Sequence, residues 1–198
     1  MYRFDSITLA SSSPRRRELL RQIGVDHGVQ AADIDEHRLA DETAWAYVQR
    51  LAAHKAQVVW AQNSARPVLA ADTAVALNGQ LFAKPADRTE GLAMLRALSG
   101  QTHRVLTAIA LCSQEGLACA LSESEVTFRA LSADEQVRYW QTGEPLGKAG
   151  GYAIQGLAAS FITRLVGSYS GVMGLPLAET TQLLTAAGVR MWNQESPR

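Results

Sequence analysis

Residues Val68-Leu69-Ala70-Ala71-Asp72-Thr73-Ala74-Val75-Ala76-Leu77 form a run of strand length, apolar but for Thr73 and a single charge at its middle. A run this short and continuous reads as a buried strand, and Asn78-Gly79 directly after it suits a type I′ turn, so Gln80 to Ala83 returns antiparallel. A carboxylate inside a buried strand costs several kcal/mol unless it is paired, protonated or on a metal. Asp72 is therefore where chemistry is most expected. The plainer alternative is that the buried strand ends before it.

Near the start of the chain, Ile7 to Ala10 is β-prone and runs into Ser11-Ser12-Ser13, after which Pro14 opens a helical pattern carrying Leu19 and Leu20. A helix beginning near Ser13 points its unpaired N–H groups and the positive end of its dipole at the serine turn, which suits an anion. Arg15 and Arg16 add cations in that first turn, where the dipole disfavours positive charge unless an anion offsets it. The plainer reading makes Ser13 an N-cap and the arginines solvated surface.

Val29 to Ala32 then reads as a short strand ending in Asp33-Ile34-Asp35-Glu36-His37. Three carboxylates within four residues repel one another unless something positive sits among them, and a divalent cation with oxygen ligands would serve; a solvated acidic loop is the alternative. A helix starts at Asp41-Glu42-Thr43 and carries apolar residues at helical spacing to about Gln62. Lys55 falls on or beside its apolar stripe. It either snorkels outward or is aimed into a cleft.

Beyond the hairpin, Lys84 precedes Pro85 and so sits in extended backbone with a defined side-chain direction. Thr89 to Leu98 is helical, Gln101 to Cys112 and Leu117 to Phe128 form a second hairpin, and Ser132 with Glu135 has the spacing of a capping box. Four glycines between Gly147 and Gly156 allow close approach of a ligand to the backbone without matching a Walker or Rossmann spacing. Phe161 to Val166 reads as a strand, Gly167 to Pro176 as a flexible loop, and Pro176 to about Ala187 as the last helix. Helices alternate with strands but two hairpins interrupt them, so the class is α/β with a mixed, twisted sheet and flanking helices.

The 198 residues suffice for one domain, 1–198, or for two small lobes sharing a cleft. Lys+Arg and Asp+Glu balance at 19 each, so no whole-protein field draws nucleic acid or an anionic membrane, and any basic site must be local. Cys112 and Cys119 are too few for a zinc site and read as reduced core residues. With no apolar leader in Met1 to Asp5 and no membrane-length apolar run, a cytoplasmic protein is expected.

If Arg15, Arg16, Lys55, Lys84, Glu36 and Asp72 converge, carboxylates able to hold a metal meet cations able to hold phosphates, the pairing that phosphoanhydride hydrolysis requires. Five motifs, Ser11-x-Ser13-Pro14-Arg15-Arg16, Ala71-Asp72-Thr73, Lys84-Pro85, Gly151-Tyr152-Ala153-Ile154-Gln155-Gly156 and Gly174-Leu175-Pro176-Leu177, resemble in order and spacing the Maf family of nucleoside triphosphate pyrophosphatases. The resemblance spans about Leu9 to Leu184. It implies a two-lobed fold like that of inosine triphosphate pyrophosphatases, with a central cleft. It also implies a hydrolase on acid anhydrides that uses Mg²⁺ or Mn²⁺ to cleave a triphosphate to monophosphate and pyrophosphate.

By the same resemblance Asp72 is the proton acceptor or a metal ligand, Glu36 the second acidic residue at the metal, and Lys55, Lys84 and Arg15 the phosphate-contacting cations. Ser11 and Ser13 belong to the substrate site. Arg16, Thr73 and Gln155 resemble the branch acting on dTTP and UTP, and a Gln amide, with one donor and one acceptor function, suits the imide edge of uracil or thymine. Ala74 and Met173 depart from the family's pattern in packing more than in chemistry. The expected partners are the nucleotide and a second copy in a homodimer, without stable nucleic acid or membrane. Since the family is also associated with septum formation, the alternative function is a nucleotide-binding regulator of cell division that does not hydrolyse.

Overall fold

The computed structural model describes residues 3–192. The ends of the expected 1–198 domain, residues 1–2 and 193–198, lie outside the described residues. In chain order the elements are β1 (Ser6–Leu9), α1 (Pro14–Gln22), β2 (Asp26–Val29), α2 (Ala44–Gln62), β3 (Val68–Leu77), β4 (Gln80–Phe82), α3 (Arg88–Leu98), β5 (Thr102–Ser113), β6 (Gly116–Phe128), α4 (Ala133–Gln141), β7 (Ile162–Val166), α5 (Tyr169–Met173) and α6 (Leu177–Ala186). Two short 3₁₀ turns, Ala149–Gly151 and Leu157–Phe161, lie between α4 and β7.

The seven strands form one sheet in the order β2-β1-β3-β5-β6-β7, with β4 paired to β3 off that path. β1 runs parallel to both β2 and β3, while β3–β4 and β6–β7 are antiparallel. This is the mixed α/β sheet that the interrupted alternation predicts. The parallel strands are joined through helices and β3–β4 is a hairpin, whereas β6 and β7 pair antiparallel across a long connection that carries α4.

The chain divides into two compact units. The first comprises the residues up to Asp72, Thr107–Leu121 and the residues from Gly174 onward. Its helices bury the faces their sequences mark: α1 closes on Leu19 and Leu20, and α2 buries Tyr47, Val48, Leu51, Ala52, Lys55, Ala56 and Val59 at i, i+3 and i+4 spacing. Each fully buried Val or Leu of that stripe is worth about 1.5–3 kcal/mol. Thr43 caps α2 by accepting the Ala46 N–H at 3.1 Å. Ser13 holds the N-cap position of α1 with Pro14 at the first turn, yet its side chain makes no capping bond.

The second unit comprises Thr73–Leu106 and Ser122–Met173. Its core gathers Val75, Phe82, Leu95, Leu98, Val126 and Phe128 with the aromatic side chains of Tyr139, Tyr152 and Phe161. The rings meet edge to face, Phe128 and Tyr152 at 4.9 Å and Tyr139 and Phe161 at 5.0 Å between centroids, the arrangement their quadrupoles favour. The β3–β4 turn places Asn78 and Gly79 at φ 50° and 79°, as a type I′ hairpin requires. Ser132 and Glu135 form the full capping box of α4. Within this unit, Gly91 of α3 lies so close to the Trp140 ring of α4 that no Cβ fits between them.

Three expectations need correction. β2 covers Asp26–Val29 and not Val29 to Ala32, because pairing with the four residues of β1 decides its position against the poor strand propensity of Asp26, His27 and Gly28. The loop from Gly167 to Pro176 contains α5, whose first turn is held by the Ser168 hydroxyl accepting the Gly171 N–H at 2.9 Å. Cys112 is buried as expected, but Cys119 is exposed, since β6 buries residues in alternation only in its second half; both are free thiols. Among the described residues no helix is long and apolar enough to cross a membrane.

Candidate active site

In the first unit, three elements converge on one ammonium group. α2 presents Lys55 from its apolar stripe, β3 presents Asp72, and the loop after β2 presents Glu36. Lys55 Nζ lies 2.6 Å from Asp72 Oδ1 and 2.6 Å from Glu36 Oε1. The Lys55 and Asp72 side chains are 8% and 10% exposed, whereas Glu36 is 39% exposed and opens the cluster to solvent. Lys55 therefore points inward, and the two carboxylates that would repel each other share its charge.

A second cation stands close by. Arg16, half-buried in the first turn of α1, donates from Nε to the Gly174 carbonyl at 2.8 Å and from Nη1 to Ser11 Oγ at 3.1 Å. Burial lowers its pKa from the ordinary arginine value, and the charges of Asp72 and Glu36 oppose that shift, so its guanidinium lies within electrostatic reach of both carboxylates. Lys55, Arg16, Asp72 and Glu36 thus form a charge-balanced quartet. Ser11 is a double acceptor, taking the Ser13 N–H at 3.2 Å as well as Arg16, which ties the serine turn to the arginine. Arg15 is half-buried in the same helical turn.

The remaining residues singled out from the sequence lie in the second unit. Thr73 follows Asp72 in β3 and is half-buried, Lys84 is exposed between β4 and Pro85, and Gln155 is exposed beside the buried Ile154.

Several residues that hold the cluster escaped sequence reading. Tyr47 donates its hydroxyl to the Glu36 carbonyl at 3.1 Å, and its pKa is pushed up to about 12, first by burial and then by Asp72 and Glu36. Tyr47, Leu51 and Lys55 are four apart on α2, so the two polar groups of the stripe reach the same place; that spacing was the signal. Arg50 forks onto Glu42, Nε to Oε1 at 2.6 Å and Nη2 to Oε2 at 2.8 Å, and also donates to the His37 carbonyl at 3.0 Å. The Leu39 N–H completes the Glu42 carboxylate at 3.1 Å. These bonds fasten the loop carrying Glu36 to α2, and Arg50 holds the Glu42 carboxyl below the usual range. Of the acidic trio, Asp35 turns instead to His37, accepting its backbone N–H at 2.8 Å, which lowers its pKa.

Among the described residues, no group of three or more His, Cys, Asp or Glu side chains stands ready to hold a metal. Glu36 and Asp72 are nonetheless a hard oxygen donor pair at one point. That is the set Mg²⁺ uses when one or two carboxylates bind it and water and phosphate oxygens complete its shell, so the residues fit such an ion.

The Maf-like protein family model matches residues 6–187. The chain belongs to the Maf family. Curated Maf relatives include a dTTP/UTP pyrophosphatase of Saccharophagus degradans, 49% identical over 96% of this chain and 92% of that protein. Proteins of the same description from Cupriavidus pinatubonensis and Xanthomonas euvesicatoria are 51% and 52% identical, over 94% and 91% of this chain and 98% and 97% of theirs. In this Maf chain the quartet of Arg16, Glu36, Lys55 and Asp72 falls wholly within the matched residues.

Proposed function

We propose that this Maf-family chain hydrolyses dTTP and UTP to the nucleoside monophosphate and pyrophosphate, with water attacking the α-phosphate. The observation that carries the reading is the Lys55 ammonium held between Asp72 and Glu36 at 2.6 Å in a largely buried setting. The relatives described as dTTP/UTP pyrophosphatases support the substrate class.

Asp72 has one oxygen on Lys55, and its second oxygen takes the proton of the attacking water. As the new bond to the α-phosphorus forms, the bond to the oxygen bridging to the β-phosphate breaks, and pyrophosphate leaves with that electron pair. Lys55 orients the Asp72 carboxylate through that bond, while Lys84 and Arg15 offset charge on the phosphates. Ser11 and Ser13 shape the turn at the helix N-terminus, where backbone N–H groups meet anionic oxygen. Glu36 and Asp72 would hold Mg²⁺ or Mn²⁺, which when bound offsets phosphate charge and acidifies water. Arg16, Thr73 and Gln155 select the substrate, Gln155 through a donor and an acceptor matched to the imide edge of uracil or thymine. Both bases are accepted because nothing in that pairing discriminates at C5.

The same reading makes the protein a cytoplasmic homodimer without stable nucleic-acid partners, in keeping with its zero formal net charge. Pyrophosphate release across a panel of nucleoside triphosphates with Mg²⁺ or Mn²⁺ tests the proposal. Turnover of UTP and dTTP, abolished in Asp72→Asn, is expected; no turnover by the wild type, or full activity of Asp72→Asn, overturns it. Nucleotide binding without hydrolysis would favour the regulatory alternative.

A further inference from the structure

Gln155 stands on a tight turn whose two ends are fastened to two side chains that are bonded to each other. The Gly156 N–H donates to the Ala153 carbonyl at 3.0 Å and closes the turn around Ile154 and Gln155. On one side, the Ala153 N–H donates to the Tyr139 hydroxyl oxygen at 3.2 Å. On the other, the Glu144 carboxylate accepts the Leu157 N–H at 2.8 Å and the Ala158 N–H at 3.2 Å. Tyr139 and Glu144 are themselves joined, the hydroxyl donating to Glu144 Oε1 at 2.8 Å. Gly156 is a glycine for the same reason: a Cβ there would collide with the Glu144 carboxylate.

The brace is built more firmly than a surface turn requires. Tyr139 is 4% exposed, and its ring stacks edge to face on Phe161, so its hydroxyl is fixed by the core of the second unit. Five hydrogen bonds, two of them from backbone to carboxylate, hold the six residues Ala153 to Ala158 around the exposed Gln155 side chain, which makes no part of the core. A carboxylate accepting backbone N–H groups makes shorter, stronger bonds than a neutral acceptor does. Such rigidity serves a side chain that must present donor and acceptor in a fixed orientation, since selectivity by hydrogen bonding depends on leaving the wrong partner unpaired.

We infer that Glu144 and Tyr139 are positioning residues for base selection, fixing the backbone of Gln155 so that its amide accepts uracil or thymine and rejects cytosine. This rests on the proposed role of Gln155 in reading the base. Neither residue is placed on substrate; both act through the turn.

The test compares kcat and KM for UTP and CTP in the wild type, Glu144→Gln, Tyr139→Phe and Gln155→Leu. Glu144→Gln halves the acceptor capacity of the brace, and Tyr139→Phe removes one hydroxyl while keeping the ring that packs in the core. Each is expected to lower the UTP-to-CTP ratio of kcat/KM about tenfold, on the scale of one hydrogen bond, through a raised KM for UTP with kcat within about twofold. An unchanged ratio in both variants, or an equal loss on both substrates through kcat, overturns the inference. If Gln155→Leu leaves the ratio unchanged, the reading of Gln155 fails first; if it collapses the ratio while the brace variants do not, only the brace proposal fails. Should Glu144→Gln not fold, Tyr139→Phe decides alone.

Discussion

The Lys55 ammonium lies 2.6 Å from the Asp72 carboxylate, with neither side chain more than one-tenth exposed. At that burial each charge depends on the other, because an isolated ion would carry a desolvation cost of several kcal/mol. The pair is thus a structural constraint as well as a chemical one.

Removing one partner is expected to cost more than removing both. Lys55→Met leaves Asp72 uncompensated and should lower stability by about 3 kcal/mol or more, while Lys55→Met with Asp72→Asn should recover part of that loss. Urea denaturation of the two single variants and the double variant measures the coupling. Strict additivity would mean that the two groups do not depend on each other.

Metal dependence should follow Glu36. Chelation is expected to stop turnover and added Mg²⁺ to restore it. Glu36→Gln should raise the Mg²⁺ concentration for half-maximal rate by about tenfold or more while leaving the fold intact. A metal titration of wild type and variant by rate, paired with their melting curves, checks both halves of this expectation.

His103 gives the second unit a pH dependence whose sign is set by burial. It is 1% exposed, its Nε2 is 2.8 Å from the Tyr152 hydroxyl, Nδ1 has no hydrogen-bond partner, and burial holds its pKa down to about 4. Between about 4 and the ordinary 6.5 the unfolded chain takes up a proton that the folded one does not. Stability is therefore lost as pH falls through that window, by about 3 kcal/mol at about 1.4 kcal/mol per pH unit. Denaturation midpoints of wild type and His103→Gln at pH 7 and pH 4.5 should differ, the variant showing the smaller fall.

Gly91→Ala should destabilise the packing of α3 on α4. The added methyl meets the six-membered ring of Trp140, a rigid indole with no flexible end to move aside. A loss of about 1–3 kcal/mol is expected, and Gly91→Ala with Trp140→Leu should recover much of it, as read from thermal melting.

Asp72 was legible because a charge amid an apolar run has so few affordable explanations. The capping box at Ser132, the Asn78-Gly79 hairpin and α2 were legible because turn chemistry and helical period act locally. Lys55 was legible as a position on the stripe of α2 but not as an inward-pointing group. The choice between snorkelling outward and pairing inward depends on Glu36 and Asp72, 19 residues upstream and 17 downstream. Arg50 and Glu42 gave no signal at all, since their fork spans a helix start with no fixed spacing. β2 was displaced because its place is set by β1 across the sheet, and strand propensity in four residues is weaker than that pairing. Which serine of the turn makes the side-chain bonds was not legible: Ser13 holds the N-cap position, but Ser11 accepts the bonds.

The division of the chain bears on how such a protein can be recombined. The backbone passes between the two units four times, at residues 72/73, 106/107, 121/122 and 173/174, and three of these joints fall inside β3, β5 and β6. Neither unit corresponds to a continuous gene segment, so no single crossover between two relatives can exchange one unit whole. Chimeras that graft the Gln155-bearing half of one relative onto the other half of a second must match strand register at three internal seams. Exchange of a whole unit therefore takes a crossover at each of the four joints, whereas a point substitution leaves all of them untouched.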